Sequence, residues 1–303
     1  MEHLKQSFDV SERRACRVAG QPRATQRYRA APPSSADRAL VADIRELAAR
    51  HPRYGYRRVR VLLGRLGWKL SLGKMLRIWR REGLRVPQKR RKRRRLGHSG
   101  NSCTRRAAER PNHVWTYDFV MDRTADGRRV KILAVIDEYT RECLCLHAAR
   151  NITARDVVDE LAKIVIERGV PEHIRSDNGP EFVAAEVRRW LGGIDAAPLF
   201  IEPGSPWQNA YIESFNGKLA DELLDIEVFT TLAEARYLAD RFRHEYNTTR
   251  PHSSLGDLTP AAFAAGWAAS GLATLGLQPP TPGTEHHGLQ PQAAAAPRTH
   301  RLS

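Results

Sequence analysis

The hydrophobic positions of this chain keep one period up to about residue 88 and a different one from about residue 112. In the first stretch they recur at steps of three and four. Leu40, Ile44 and Leu47 fall on one face of a helix predicted from about Asp37 to Arg50, which His51-Pro52 ends. Val59, Leu62, Leu63 and Leu66 stand at i, i+3, i+4 and i+7; after Gly67, the residues Leu72, Met75, Leu76 and Trp79 repeat the spacing. Two amphipathic helices joined by a tight turn follow. Upstream, Glu12–Ala19 and Arg23–Tyr28 read as short helical stretches around the turn Gly20-Gln21-Pro22, and Pro32-Pro33-Ser34-Ser35 reads as a linker.

From Asn112 the period drops to two. Strands are predicted at Val114–Asp122, Val130–Ile136 and Cys143–His147, the first two turned by Ala125-Asp126-Gly127, which gives an antiparallel meander. In the first strand Trp115, Tyr117, Phe119 and Met121 share a face that their size marks as buried, and Val114, Thr116, Asp118 and Val120 take the other. Cys143 and Cys145, two apart, are expected to share a core face. A helix capped by Asn151–Thr153 buries Val157, Leu161, Ile164 and Val165 and stops at Gly169. A strand at His173–Ser176, a helix around Ala184–Leu191, a strand at Leu199–Ile201 and a helix from about Asn209 to Leu224 complete the order βββαβαβα. This is an α/β order with a mixed five-stranded sheet, that of the ribonuclease H-like fold, preceded by an all-α helix-turn-helix region. A further helix is predicted at about Leu232–Tyr246, and the Pro-, Gln-, Ala- and His-rich end is expected to be disordered.

Charge separates the same two parts. The chain of 303 residues has a net charge of +16, but residues 1–110 hold 31 Lys and Arg against 8 Asp and Glu (net +23), and residues 111–303 hold 19 against 26 (net −7). A basic arm on an acidic body points to a polyanion, nucleic acid, held by one part and carboxylate chemistry in the other. Lys74, Arg77 and Arg81 line an exposed face of the second amphipathic helix, the geometry of a helix that enters a major groove. Lys89, Arg90, Arg91, Lys92, Arg93, Arg94 and Arg95 form an unbroken basic run, a linker that can lie along phosphates. There is no transmembrane run and no apolar signal segment, so no membrane partner is expected. The four cysteines have no Cys-x-x-Cys spacing and no Cys/His set has zinc spacing, which fits a reducing interior and excludes a zinc module.

Three carboxylates have telling settings. Asp118 lies mid-strand among apolar neighbours, where a charge is costly unless compensated. Asp177 follows a strand and precedes Asn178-Gly179-Pro180, at the strand end where ligands gather in open α/β sheets. Glu213 is about 100° round from Ile212, at the edge of the helical stripe Ile212, Phe215, Leu219 and Leu223. Such oxygen donors suit a pair of divalent ions for phosphoryl transfer. Folding the first hairpin about Asp126-Gly127 also brings Asp137 near Asp118, so residue chemistry alone leaves Asp137 open as a ligand.

The strings around these residues carry a resemblance. Thirty-five residues separate Asp177 from Glu213, as in DDE transposases and retroviral integrases. Ser176-Asp177-Asn178-Gly179-Pro180-Glu181-Phe182, Ser205-Pro206-Trp207-Gln208-Asn209 with Glu213-Ser214-Phe215-Asn216, and Tyr246-Asn247 through Arg250-Pro251-His252 to Leu255-Gly256 resemble the second-frame (OrfB-type) transposases of insertion-sequence family three. Tyr54-Gly55-Tyr56-Arg57-Arg58 and Ser11-Glu12-Arg13-Arg14-Ala15-Cys16 belong to the same pattern, which runs from about residue 8 to 262. The resemblance implies an integrase core with Asp118, Asp177 and Glu213 as catalytic and metal-holding residues, and Mg²⁺ or Mn²⁺, as two ions. It implies cleavage and strand transfer at the terminal inverted repeats of an insertion sequence, with double-stranded repeat and target DNA as partners. It also implies a homo-multimer on DNA, the upstream-frame protein of the same element as a partner, and a bacterial cytoplasmic, nucleoid-associated location. Gln208, Asn209 and Lys218 join the expected DNA contacts.

One position departs from the family. Its members usually carry Lys or Arg seven residues after the catalytic Glu; here that residue is Ala220, and Lys218 is about 140° round the helix from Glu213. The alternatives are therefore a weakened copy that regulates by binding repeats, and a ribonuclease H-type nuclease on RNA–DNA hybrids, which the basic helix-turn-helix disfavours. The expected domains are a small helix-turn-helix-like segment (1–33), a helical DNA-binding domain (34–88), a basic linker (89–110), the catalytic core (111–225), a helical extension (226–265) and a disordered tail (266–303).

Overall fold

The helical periods of the first part become α1 (Glu2–Phe8), α2 (Glu12–Val18), α3 (Arg23–Arg27), α4 (Ser35–Arg50), α5 (Tyr56–Arg65) and α6 (Leu72–Arg81) in a computed structural model. The structure describes residues 2–28, 32, 34–87, 107–176, 181–194, 196–200 and 210–274. Lys89 to Arg95, Asp177, Gln208 and Asn209 lie outside the described residues. The chain divides into two units, Met1–Arg95 and Leu96–Ser303.

In the first unit Ser11, Ser34 and Ser71 cap α2, α4 and α6, each accepting the amide three residues on. Leu40, Ile44, Val59, Leu63 and Met75 form its core. Tyr54 fills the same core, stacks on His51 and carries Arg58 over its ring, so the Tyr54–Arg58 string is largely packing. Leu66, expected on the core stripe, is 62% exposed because α5 ends at Arg65. Lys74, Arg77 and Arg81 are all exposed on α6. Lys74 pairs with Asp37 and Arg81 with Glu82, whereas Arg77 has no acidic partner among the described residues.

The second unit is built on β1 (Val114–Arg123), β2 (Arg129–Asp137), β3 (Cys143–Ala149), α7 (Ala154–Arg168), β4 (His173–Ser176), α8 (Glu181–Gly192), β5 (Ala197–Phe200), α9 (Ala210–Leu219), α10 (Leu232–Thr248) and α11 (Pro260–Thr274). The five strands lie in the order β3-β2-β1-β4-β5. The meander β1-β2-β3 is antiparallel, and β1-β4 and β4-β5 are parallel. Alternation sorts the side chains into two layers. Trp115, Tyr117, Leu133 and Val135 pack with Val157 and Leu161 of α7 and Val187 and Leu191 of α8. On the other face Ile132, Ala134 and Ile136 pack with Ile212, Phe215 and Leu219 of α9 and Phe242 and Tyr246 of α10.

Several expectations are corrected here. Met121 is 53% exposed and Phe119 only half-buried, because α7 and α8 cover the base of that sheet face but not its outer end. Cys143 and Cys145 belong to opposite cores. A bulge between Val135 and Ile136 pairs Ile136 with Cys143 and Val135 with Cys145, which breaks the two-residue alternation. Both thiols are buried, and burial pushes that of Cys145 up to about 12, so neither is a nucleophile at neutral pH. The helix expected to reach Leu224 is α-helical only to Leu219 and continues as a π-helical turn over Ala220–Leu224, marked by the Asp225 amide on the Ala220 carbonyl. Finally, α11 runs to Thr274, so residues 266–274 are helical rather than tail; an uncharged Ala-rich stretch has the propensity for it.

Candidate active site

Strand β1 and helix α9 position the two described carboxylates. Asp118 stands on β1 opposite Ala134, half-buried, on the face toward α9. The pairing of β1 with β4 reaches only Thr116 with Arg175, two residues short of Asp118. The Phe119 amide donates to Asp118 Oδ1 at 2.7 Å, and Asn216 Nδ2 donates to Asp118 Oδ2 at 2.7 Å. A half-buried carboxylate with a donor on each oxygen is held in one orientation.

Glu213 lies in the first turn of α9 and is exposed, while its neighbours Ile212 and Phe215 anchor the helix on the sheet. A carboxylate there is favoured by the amide end of the helix. Asn216 is one turn on from Glu213, so the two side chains share a helix face. Its hydrogen bond to Asp118 therefore links the helix of Glu213 to the strand of Asp118. Asn216 Oδ1 is buried and has no hydrogen-bond partner among the described residues. Sequence reasoning quoted Asn216 within a motif and gave it no role; its three-residue offset from Glu213 was the available signal.

Asp177 itself lies outside the described residues, and the fully buried strand leading to it ends at Ser176. Two positions before Asp177, Arg175 makes a buried pair with Glu138 (2.6 and 2.8 Å). Asp137, the competing ligand, is 1% exposed and opposite Trp115 rather than Asp118. Its Oδ1 accepts the amides of Tyr139 and Thr140 and its Oδ2 that of Asn112. Burial raises its pKa against those three bonds. This carboxylate caps the end of β2.

Lys218 is half-buried, and its Nζ turns back along α9 to Ser214 Oγ at 3.2 Å. Ser214 is the i, i+4 neighbour of Lys218, so this side chain follows its own face of α9, which is not that of Glu213. Ala220 is half-buried at the start of the π turn. The Tyr246–Gly256 string buttresses α9. Arg250 pairs bidentately with Glu222 (2.7 and 2.7 Å), the Tyr246 ring meets Phe215 edge-on, and Asn247 bonds both the amide and the carbonyl of Cys143.

Among the described residues one group of three metal-ligating side chains converges: His113, Glu172 and His173. Arg110 and His173 Nε2 both engage the Glu172 carboxylate, and His113 Nδ1 accepts the Glu109 amide at 3.0 Å. That bond leaves the neutral His113 proton on Nε2, pointing at Glu172, where a metal would need a lone pair. The group fastens residues 109–113 to the start of β4 and does not fit a metal.

Models of the integrase core domain match residues 108–206 and 195–260, and a model of a helix-turn-helix-like domain matches residues 35–92. A 31.7 kDa protein of insertion element IS407 from Burkholderia multivorans is 40% identical over 265 residues, 88% of this chain and 94% of that protein. The putative transposase InsK of insertion sequence element IS150 from Escherichia coli K12 is 24% identical over 276 residues, covering 87% and 96%. Among solved structures, the HTLV-2 integrase catalytic core domain in complex with magnesium has a TM-score of 0.41 at 17% identity, covering 52% of this chain and 98% of that one. With such identity along nearly the whole of an insertion-element protein, the chain belongs to the integrase-core transposase family encoded by insertion sequences of family three.

Proposed function

We propose that this protein cuts and joins DNA strands at the terminal inverted repeats of its insertion sequence, as a DDE-type polynucleotidyl transferase. Asp118, Asp177 and Glu213 would hold Mg²⁺ or Mn²⁺, two ions by the chemistry of the donor set. When bound, these ions activate the attacking water or 3′-hydroxyl oxygen and stabilise the leaving 3′ oxygen. The observation that carries the reading is the Asn216–Asp118 hydrogen bond, which brings the helix of Glu213 onto the strand of Asp118. Hard carboxylate oxygens beside a buried, unpartnered amide oxygen suit a hard cation.

The chain's own groups divide the remaining work. Asp118 is oriented before any substrate arrives, by the Phe119 amide and Asn216. Arg175 and Glu138 neutralise each other on the strand that leads to Asp177. Lys218, beside Ser214, offers a phosphate contact on the helix of Glu213. The exposed cations of α6 and the Lys89–Arg95 run would hold repeat DNA, and Gln208 and Asn209 the strand near the site. Two ends must be held together for transposition, so a homo-multimer on DNA, with or without the upstream-frame protein, is part of the reading.

The test is a nicking and joining assay of the full chain on its own repeat ends. With Mg²⁺ or Mn²⁺ the wild type should nick and join. Asp118→Asn should lose about 10³-fold or more in both, the scale of removing a central electrostatic group, while repeat binding is kept. Full joining by Asp118→Asn would refute the assignment.

A further inference from the structure

The outer end of the β1–β2 hairpin carries a surface that the carboxylate site does not use. Phe119, Met121 and Arg123 of β1 share a sheet face with Lys131 and Arg129 of β2, Met121 standing opposite Lys131 and Arg123 opposite Arg129. Lower on this face Tyr117 and Leu133 are buried under α7 and α8. Beyond them the face is open, with Met121 53% exposed and both arginines exposed.

Several features make this a poor arrangement for an idle surface. Like charges directly across a strand pair repel, yet Arg123 and Arg129 face each other with no acidic partner among the described residues. Lys131 Nζ lies 3.8 Å from the centre of the Phe119 ring, and burial together with the Arg129 charge lowers its pKa. Of the acids nearby, Asp122 lies on the other face and accepts the Arg123 amide, and Asp126 is taken up by Thr124 and the Arg128 amide. The hairpin end that carries these cations is itself tied down. Arg150 Nη1 donates to Thr124 Oγ1 (2.7 Å) and to the carbonyls of Arg128 and Arg129 (3.1 Å each), and the Ala125 amide donates to the Phe229 carbonyl (2.7 Å). This positive cluster sits in a part of the chain, residues 111–303, whose net charge is −7.

We propose that this hairpin face is a second DNA surface that grips the target duplex, with Arg123 and Arg129 on phosphates and Met121 and Phe119 against the sugars. Charge complementarity selects a polyanion, and the apolar pair beside the cations suits a sugar–phosphate backbone. Asp118 points from the same strand to the opposite sheet face. DNA held here is therefore a segment other than the strand on the Asp118 carboxylate. The inference rests on the strand-transfer reading above, in which a donor end and a target must be held at once.

The experiment compares the full chain with R123A/R129A and with K163A/R241A, a control that removes two exposed cations elsewhere. Joining of pre-cut ends into target DNA should fall at least tenfold in R123A/R129A, with nicking of the ends within twofold of wild type. The slope of log affinity for non-specific duplex against log salt should become shallower by about 2, one unit per lost phosphate contact. Thermal stability should not fall, since a repulsive pair has been removed. Joining and salt slope equal to the control would overturn the proposal. A wild type that neither nicks nor joins would refute the strand-transfer reading instead, and the salt slope would then still decide whether this face binds DNA.

Discussion

Asn216 is the residue whose role the structure changed most. Its amide donates to Asp118 while its own oxygen is buried without a hydrogen-bond partner among the described residues. Leaving a buried acceptor unmet costs stability, so the position is a compromise that makes sense if Asp118 must be fixed. Replacing it tests that. Asn216→Ala should weaken Mn²⁺ binding about 10- to 100-fold, the usual effect of losing a group that orients a metal-holding side chain. This is read as a smaller rise of the thermal midpoint with Mn²⁺ and, separately, as slower nicking. An unchanged Mn²⁺ response would mean that the hydrogen bond is idle. Asp118 was legible because a strand-centre acid conflicts with its apolar neighbours, and Glu213 because the strings around it resemble the transposase pattern. Asn216, a neutral amide on a half-exposed helix face, conflicts with nothing until its partner across the layer is known. Asp137 was the reverse case. Its acidity drew attention, but only the register and three amide donors show that it closes a turn.

At the scale of elements, the Tyr246–Gly256 string and the π turn after α9 form one device. Glu222, in the π turn, is clasped by Arg250, which also lies over Tyr246, and Tyr246 packs on Phe215 of α9. The Arg250 and Glu222 side chains are only 2% and 8% exposed. Arg250→Met strands a buried carboxylate and should destabilise the fold by about 3–5 kcal/mol, whereas Glu222→Gln with Arg250→Met should recover much of that loss. Chemical denaturation measures both, and equal losses in the single and double variants would contradict the pairing. Periodicity found nearly every helix and strand, because one-sided burial writes its period into the sequence. It failed where geometry departs from the ideal period. The bulge at Val135/Ile136 sends Cys143 and Cys145 to different cores, and the π turn ends the regular spacing after Leu219. It also missed α11, whose uncharged, Ala-rich sequence carries too weak a face to show a period.

For the molecule as a whole, charge divides the labour. The +23 of residues 1–110 and the −7 of residues 111–303 set most of the positive charge apart from the unit that holds Asp118 and Glu213. Asp118 and Glu213 belong to the acidic unit and repel a phosphate diester until cations neutralise them. Divalent ions should then matter for the chemical step and little for end binding. Chelating them should abolish nicking while changing the affinity for repeat DNA by less than about threefold, under 1 kcal/mol, at constant ionic strength. Raising monovalent salt should do the opposite, stripping the DNA from the basic unit along a steep log–log slope. If chelation released the DNA as completely as salt does, the carboxylates would be part of the binding surface itself, and the separation of roles inferred from charge would fail.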